Sequence, residues 1–177
     1  MSRTLIAGIG NIFLGDDAFG VEVIAALAKH ELPESVRAVD FGIRGLDLTF
    51  ALLDGYETVI LVDALPRGGS AGQIYVVEAE LDDQAPPLDP TAPLIEMHRL
   101  DPAKVLSLVV ALGGRLGRLL VVGCEPEPLD EATDIPPGMS DAVRAAIPVA
   151  VDVILELVGQ REGGPLAANK EFARLTI

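Results

Sequence analysis

Thr58-Val59-Ile60-Leu61-Val62-Asp63 (TVILVD, residues 58–63) is the stretch that decides the fold. Its first five residues are β-branched or aliphatic and leave no polar face. A half-exposed strand would alternate, so an unbroken run predicts a strand covered on both faces, the habit of a central parallel strand. The aspartate that follows is held on rigid backbone, at the edge where parallel α/β sheets collect ligands. A turn or helix-capping role for such an aspartate stands beside the functional one.

Upstream of it, Thr4–Ile9 reads as a strand and leads into the loop GNIFLGDD. Apolar residues at Phe19, Val23, Ile24 and Leu27 predict a helix over residues 18–30. Val36–Phe41 is a second strand, closed by Gly42, and Leu46–Leu53 a helix ended by Asp54-Gly55. Gln73–Val77 and Leu119–Val122 complete five strands. The Pro-rich segments 81–94 and 125–139 read as loops. Asp101-Pro102 opens a helix to about Leu112, and Ser140 caps one running to about Val158. Pro148 inside that last helix predicts a kink or a break. Residues 160–177 carry no clear assignment. The order of elements implies an α/β fold, a three-layer α/β/α sandwich around a mostly parallel or mixed five-stranded sheet, with a single domain over residues 1–159.

Composition narrows the function. A chain of 177 residues is about one domain, and 50% hydrophobic content excludes a disordered one. The net charge of −14 argues against nucleic acid as a partner, because phosphates are bound by positive charge. No apolar run reaches the roughly 18 residues of a membrane span. The start of the chain carries no signal-peptide pattern, so a cytoplasmic location is expected. One cysteine, Cys124, excludes an internal disulfide and a Cys-rich metal site. With Glu125 and Glu127 beside it, its thiolate is disfavoured, and it reads as a buried thiol.

The first loop invites a phosphate-binding reading, which its chemistry opposes. Gly8 and Gly10 suit a dinucleotide fingerprint, but Phe13 stands where the third glycine belongs. Gly10 and Gly15 have Walker A spacing, but Asp16 and Asp17 replace the Lys and Ser/Thr and would repel a phosphate. Two carboxylates suit a cation, or they cap the following helix. Asp17 and Asp63 follow different strands at the same predicted edge. His98 is one of two histidines; His30, at a predicted helix C-terminus, reads as a structural or surface residue. Two carboxylates and one imidazole with open positions suit a borderline divalent ion such as nickel, iron or zinc.

The segments GIGNIFLGDDAFGVEVIAAL, DFGIRGLDL, VILVDAL, MHRLDPAKVLSLV and VVGCEPE together resemble the nickel-iron hydrogenase maturation endopeptidases, over about residues 4–158. The resemblance implies an enzyme that removes a C-terminal extension from the hydrogenase large-subunit precursor after nickel insertion. It implies recognition of the precursor's own nickel rather than a resident cofactor, with other divalent metals able to bind in vitro. The residues it assigns to that metal, and to catalysis, are Asp17, Asp63 and His98. Asp17 stands where the family often has Glu. Gly42-Ile43-Arg44-Gly45 replaces the usual Gly-Thr-x-Gly, and Glu96, Met97 and Arg99 surround His98 where relatives commonly have Ser just upstream and a small residue after it. Arg44 is a candidate to face the substrate tail, beside a plain solvated role, and Asp40 a candidate to polarise water, beside a structural role in the turn; Asp16 serves either as a cap or as support for Asp17.

Three other readings use the same residues. A metal-checking chaperone would bind the loaded precursor without cutting it. A metallohydrolase would hold its own ion. A carboxylate-only endopeptidase, like the distantly related spore proteases, would work through Asp17 and Asp63 without metal.

Overall fold

The computed structural model describes residues 3–80, 102–115, 117–128, 138–159 and 171–176. The TVILVD run forms β3 (Thr58–Ala64) and is covered on both sides, as its composition requires. Val59 and Leu61 pack into one apolar layer, and Ile60 and Val62 into the other. The remaining expected strands are β1 (Thr4–Ile9), β2 (Val36–Gly42), β4 (Ile74–Glu80) and β5 (Arg118–Cys124). A further strand, β6 (Glu171–Thr176), comes from the tail that the sequence left unassigned, and it pairs in parallel with β4. The sheet order is β2-β1-β3-β5-β4-β6.

The sheet is mixed for a reason of chain length. β1, β2, β3 and β5 run parallel, whereas β4 is antiparallel to β5. A parallel return from β3 would need a crossover of a dozen or more residues, generally helical. Residues 65–73 are too few for that, so the chain comes back in the opposite sense.

Among the described residues, four helices complete three layers: α1 (Phe19–Leu27), α2 (Gly45–Leu53), α3 (Pro102–Ala111) and α4 (Asp141–Leu157). α1 and α4 pack together on the face of Ile60 and Val62; α2 and α3 cover the face of Val59 and Leu61. Ser140 caps α4 as expected, its Oγ accepting from the Val143 N–H. Pro148 does not break α4, which runs through it from Asp141 to Leu157. Its cost of about 3 kcal/mol is offset by burial of Ala146, Ala150, Val151 and Ile154 around it. Asp101, His98 and the loop over 81–94 lie outside the described residues. Among the described residues, no helix is long and apolar enough to cross a membrane.

Candidate active site at the β1 and β3 strand ends

The strand order creates one special crevice. After β1 the chain moves outward to β2; after β3 it moves the other way, towards β5 and β4. β1 and β3 are direct neighbours, so the connections leaving their carboxyl ends diverge and open a gap between them. Ligands in open α/β sheets bind at such a switch point. Asp17 follows β1 and Asp63 lies at the end of β3, so the two carboxylates that the sequence singled out flank this crevice.

Glycines bring the first loop into place. Gly10 has φ +136°, and a Cβ there would overlap the Asp17 carbonyl. A Cβ at Gly20 would strike the carbonyls of Ile9 and Val62, so α1 begins pressed onto the ends of β1 and β3. These glycines serve close backbone packing. Phe19, fully buried, anchors the first turn of α1; burying such a side chain contributes about 1.5–3 kcal/mol. The short 3-10 turn Gly15–Ala18 just before it carries both acids.

Neither acid caps α1, which has no side-chain cap. Asp17 Oδ2 accepts from the Asn11 N–H at 2.7 Å, and Asn11 Oδ1 in turn accepts from the Phe13 N–H at 3.0 Å. Asp16 points elsewhere: its carboxylate accepts from the Ser140 N–H, the Ser140 hydroxyl and the Glu127 N–H. Of the two readings for these acids, capping of α1 is therefore not the one the structure shows. Backbone torsions turn consecutive residues of the tight turn to different sides.

Asp63 is half-buried, and among the described residues it accepts one hydrogen bond, from the Ala64 N–H at 2.8 Å. Burial pushes its carboxyl up to about 7, the charge of Asp17 adds to the rise, and the Ala64 N–H opposes it. The structure thus brings Asp17 and Asp63 within electrostatic reach of each other. Among the described residues, no group of three or more His, Cys, Asp or Glu could hold a metal ion. His98, the third residue of the expected set, lies outside them.

A groove of about 300 Å³ borders the site. The first loop forms one wall with Asn11, Ile12 and Phe13, and the turn after β2 forms the other with Asp40, Gly42, Ile43 and Arg44. Asp17 and Asp63 do not line it, but Asn11 belongs to both the groove and the Asp17 contact. Phe13 is 83% exposed, which is costly for an aromatic side chain without a partner. Arg44 braces its own turn through the carbonyls of Asp40 and Phe41 and an ion pair with Asp47 at 3.5 Å, yet its side chain is largely in solvent.

The sequence missed Glu125. It lies just past β5, buried, and accepts from the Tyr75 hydroxyl at 2.7 Å and from the N–H groups of Arg67 and Gly68 at 2.8 and 3.0 Å. Burial opposes its charge, but Tyr75 and the backbone donors of residues 67–69 together hold its carboxyl below the usual range. Its position after an apolar strand was the available signal, the same one that marked Asp63. Cys124 is fully buried as expected; burial, then the charges of Asp16 and Glu125, push its thiol up to about 12.

An open α/β sheet with an acidic pair at its switch point has the architecture of an enzyme. The sequence profile of the hydrogenase maturation protease family (HycI) matches residues 21–157. The chain belongs to that family and is a hydrolase of the endopeptidase type. It is 32% identical over 157 residues to the hydrogenase expression/formation protein HupD of Rhizobium leguminosarum bv. viciae, covering 88% of this chain and 74% of that one. It is 29% identical over 170 residues to the hydrogenase 2 maturation protease of Escherichia coli (strain K12), covering 96% and 97%. Among solved structures it is similar to the hydrogenase maturating endopeptidase HybD from E. coli, with TM-score 0.69, 28% identity and coverage of 89% and 93%.

Proposed function

We propose that this endopeptidase removes a C-terminal extension from the large-subunit precursor of a nickel-iron hydrogenase after nickel insertion, and that it recognises the precursor by the nickel it carries. The observation that carries the reading is the acidic pair at the switch point, where Asp63 accepts one hydrogen bond among the described residues and burial beside Asp17 pushes its carboxyl up to about 7. Two carboxylates that repel each other are stabilised together by a divalent cation, and binding one releases the proton that Asp63 holds. Asp17 and Asp63 supply two oxygen donors; His98, by resemblance, supplies an imidazole. Three protein donors leave positions at which the scissile carbonyl or a water can be polarised. Ile12, Phe13 and Ile43 offer the neighbouring groove apolar contact for an extended segment of the precursor, with Arg44 at its edge. Cleavage is then gated by nickel loading, since an empty precursor lacks the bridge.

The test is cleavage of nickel-loaded and nickel-free precursor by the wild type and by Asp17→Ala, Asp63→Ala and His98→Ala. The wild type should cut only the loaded precursor, and each variant should lose about 10- to 100-fold or more. Equal cutting by wild type and variants would overturn the assignment.

One observation favours a second reading. A raised Asp63 beside Asp17 is also the arrangement of an acid–base dyad that shares a proton. That reading requires equal cutting of loaded and empty precursor, loss in both Asp variants, and no effect of His98→Ala.

A further inference from the structure

We infer that Asp16 is a positioning residue, a latch that holds the Asp17-bearing turn against both ends of the segment linking β5 to α4. The inference rests on the reading above, in which Asp17 grips the precursor's nickel. Asp16 Oδ1 accepts from the Ser140 N–H at 2.7 Å. Asp16 Oδ2 accepts from the Ser140 hydroxyl at 3.0 Å and from the Glu127 N–H at 2.8 Å. These donors lie 111 and 124 residues away in sequence, and they sit on the two stems of one connection. The same Ser140 Oγ accepts from the Val143 N–H, so one hydroxyl caps α4 and closes the latch.

Two adjacent acids repel each other, and nothing in α1 uses either as a cap. Their division of labour resolves the cost: Asp16 takes three donors from a distant element, and Asp17 is left for the site. Consecutive Cα atoms are about 3.8 Å apart, so pinning Asp16 leaves Asp17 little more than its own torsions. The Asn11 N–H holds the Asp17 carboxylate from the other side, and buried Phe19 holds the chain just beyond. Groups that orient a metal ligand typically change affinity or activity about 10- to 100-fold when removed.

The test is kcat/KM for cleavage of nickel-loaded precursor by the full chain, with thermal melting as the check on folding. Asp16→Asn places an amide against three donors and should lose about 10- to 100-fold. Ser140→Asp keeps an acceptor for the Val143 N–H, hence the α4 cap, but removes the hydroxyl donor and sets a like charge against Asp16. It should lose activity to a similar degree, whereas Ser140→Thr, which keeps donor and acceptor, should cut like the wild type. Asp16→Asn added to Asp17→Asn should cost nothing further, because the latch acts through Asp17. A Ser140→Asp enzyme at wild-type rate, or an Asp16 loss that multiplies with the Asp17 loss, would overturn the latch. An Asp17→Asn enzyme at wild-type rate would instead overturn the functional reading, and the latch with it.

Discussion

Asp63 and Glu125 end neighbouring strands of one sheet and have opposite fates. β3 and β5 pair with Asp63 opposite Gly123, so Glu125 lies only two residues beyond that level. Glu125 meets the Tyr75 hydroxyl and backbone N–H groups of the chain after β3, and those donors keep it ionised in a buried position. Among the described residues, Asp63 has the Ala64 N–H and, in place of further donors, a second negative charge. Burial alone therefore does not mark a functional carboxylate. The supply of donors among the described residues separates the two: a carboxylate with several donors stays ionised and holds loops together, and one with a single donor beside a like charge keeps its proton more readily.

The largest effect should come from the single-donor partner. Asp63→Asn should cut nickel-loaded precursor about 100-fold more slowly and yet gain stability at alkaline pH. The sign follows from linkage: the folded carboxyl holds its proton up to about 7, the unfolded one only to about 4. Wild-type stability therefore falls as pH rises from about 4 to 7, by roughly 4 kcal/mol at most. Urea melts at pH 5 and pH 8 should show that fall in the wild type and its loss in Asp63→Asn. Parallel behaviour of the two proteins would break the contrast.

Glu125→Ala should do the reverse, lowering stability by about 2–4 kcal/mol through unpaired buried donors, with a clear drop in melting temperature. Because its folded carboxyl lies below the usual range, Glu125 contributes stability above the ordinary carboxylate pKa that is lost as pH falls through the folded value. Gly20→Ala forces a methyl against the carbonyls of Ile9 and Val62 and should cost about 1–3 kcal/mol. It should also weaken cleavage, since the Asp17 turn would move with α1; an unchanged melting curve would show that the close approach does not constrain the turn. Phe13→Ala should leave stability within about 0.5 kcal/mol, because the ring is exposed. It should raise KM for the precursor, whereas a change confined to kcat would remove the groove from the account.

Much of this was legible in the chain. A short β-branched run with no polar face reads as a central strand, and the aspartate at its end follows from that. Asp17 was readable because two carboxylates exclude the phosphate that the glycines otherwise suggest. Other features carry no local signal. The donors to Glu125 are largely backbone N–H groups, which every sequence possesses, and the partners of Asp16 lie more than a hundred residues away. β6 mixes charged and apolar residues in EFARLT without a clear alternation to betray it, and its pairing with β4 is a tertiary fact. Pro148 does not end the helix, since packing of α4 outweighs a local helix penalty.

A carbon-detected titration of the Asp63 carboxyl, in the wild type and in Asp17→Asn, addresses the acidic pair directly. Asp63 should titrate near 7 in the wild type and clearly lower once the Asp17 charge is gone. A wild-type midpoint in the ordinary range near 4, or one indifferent to Asp17, would contradict it.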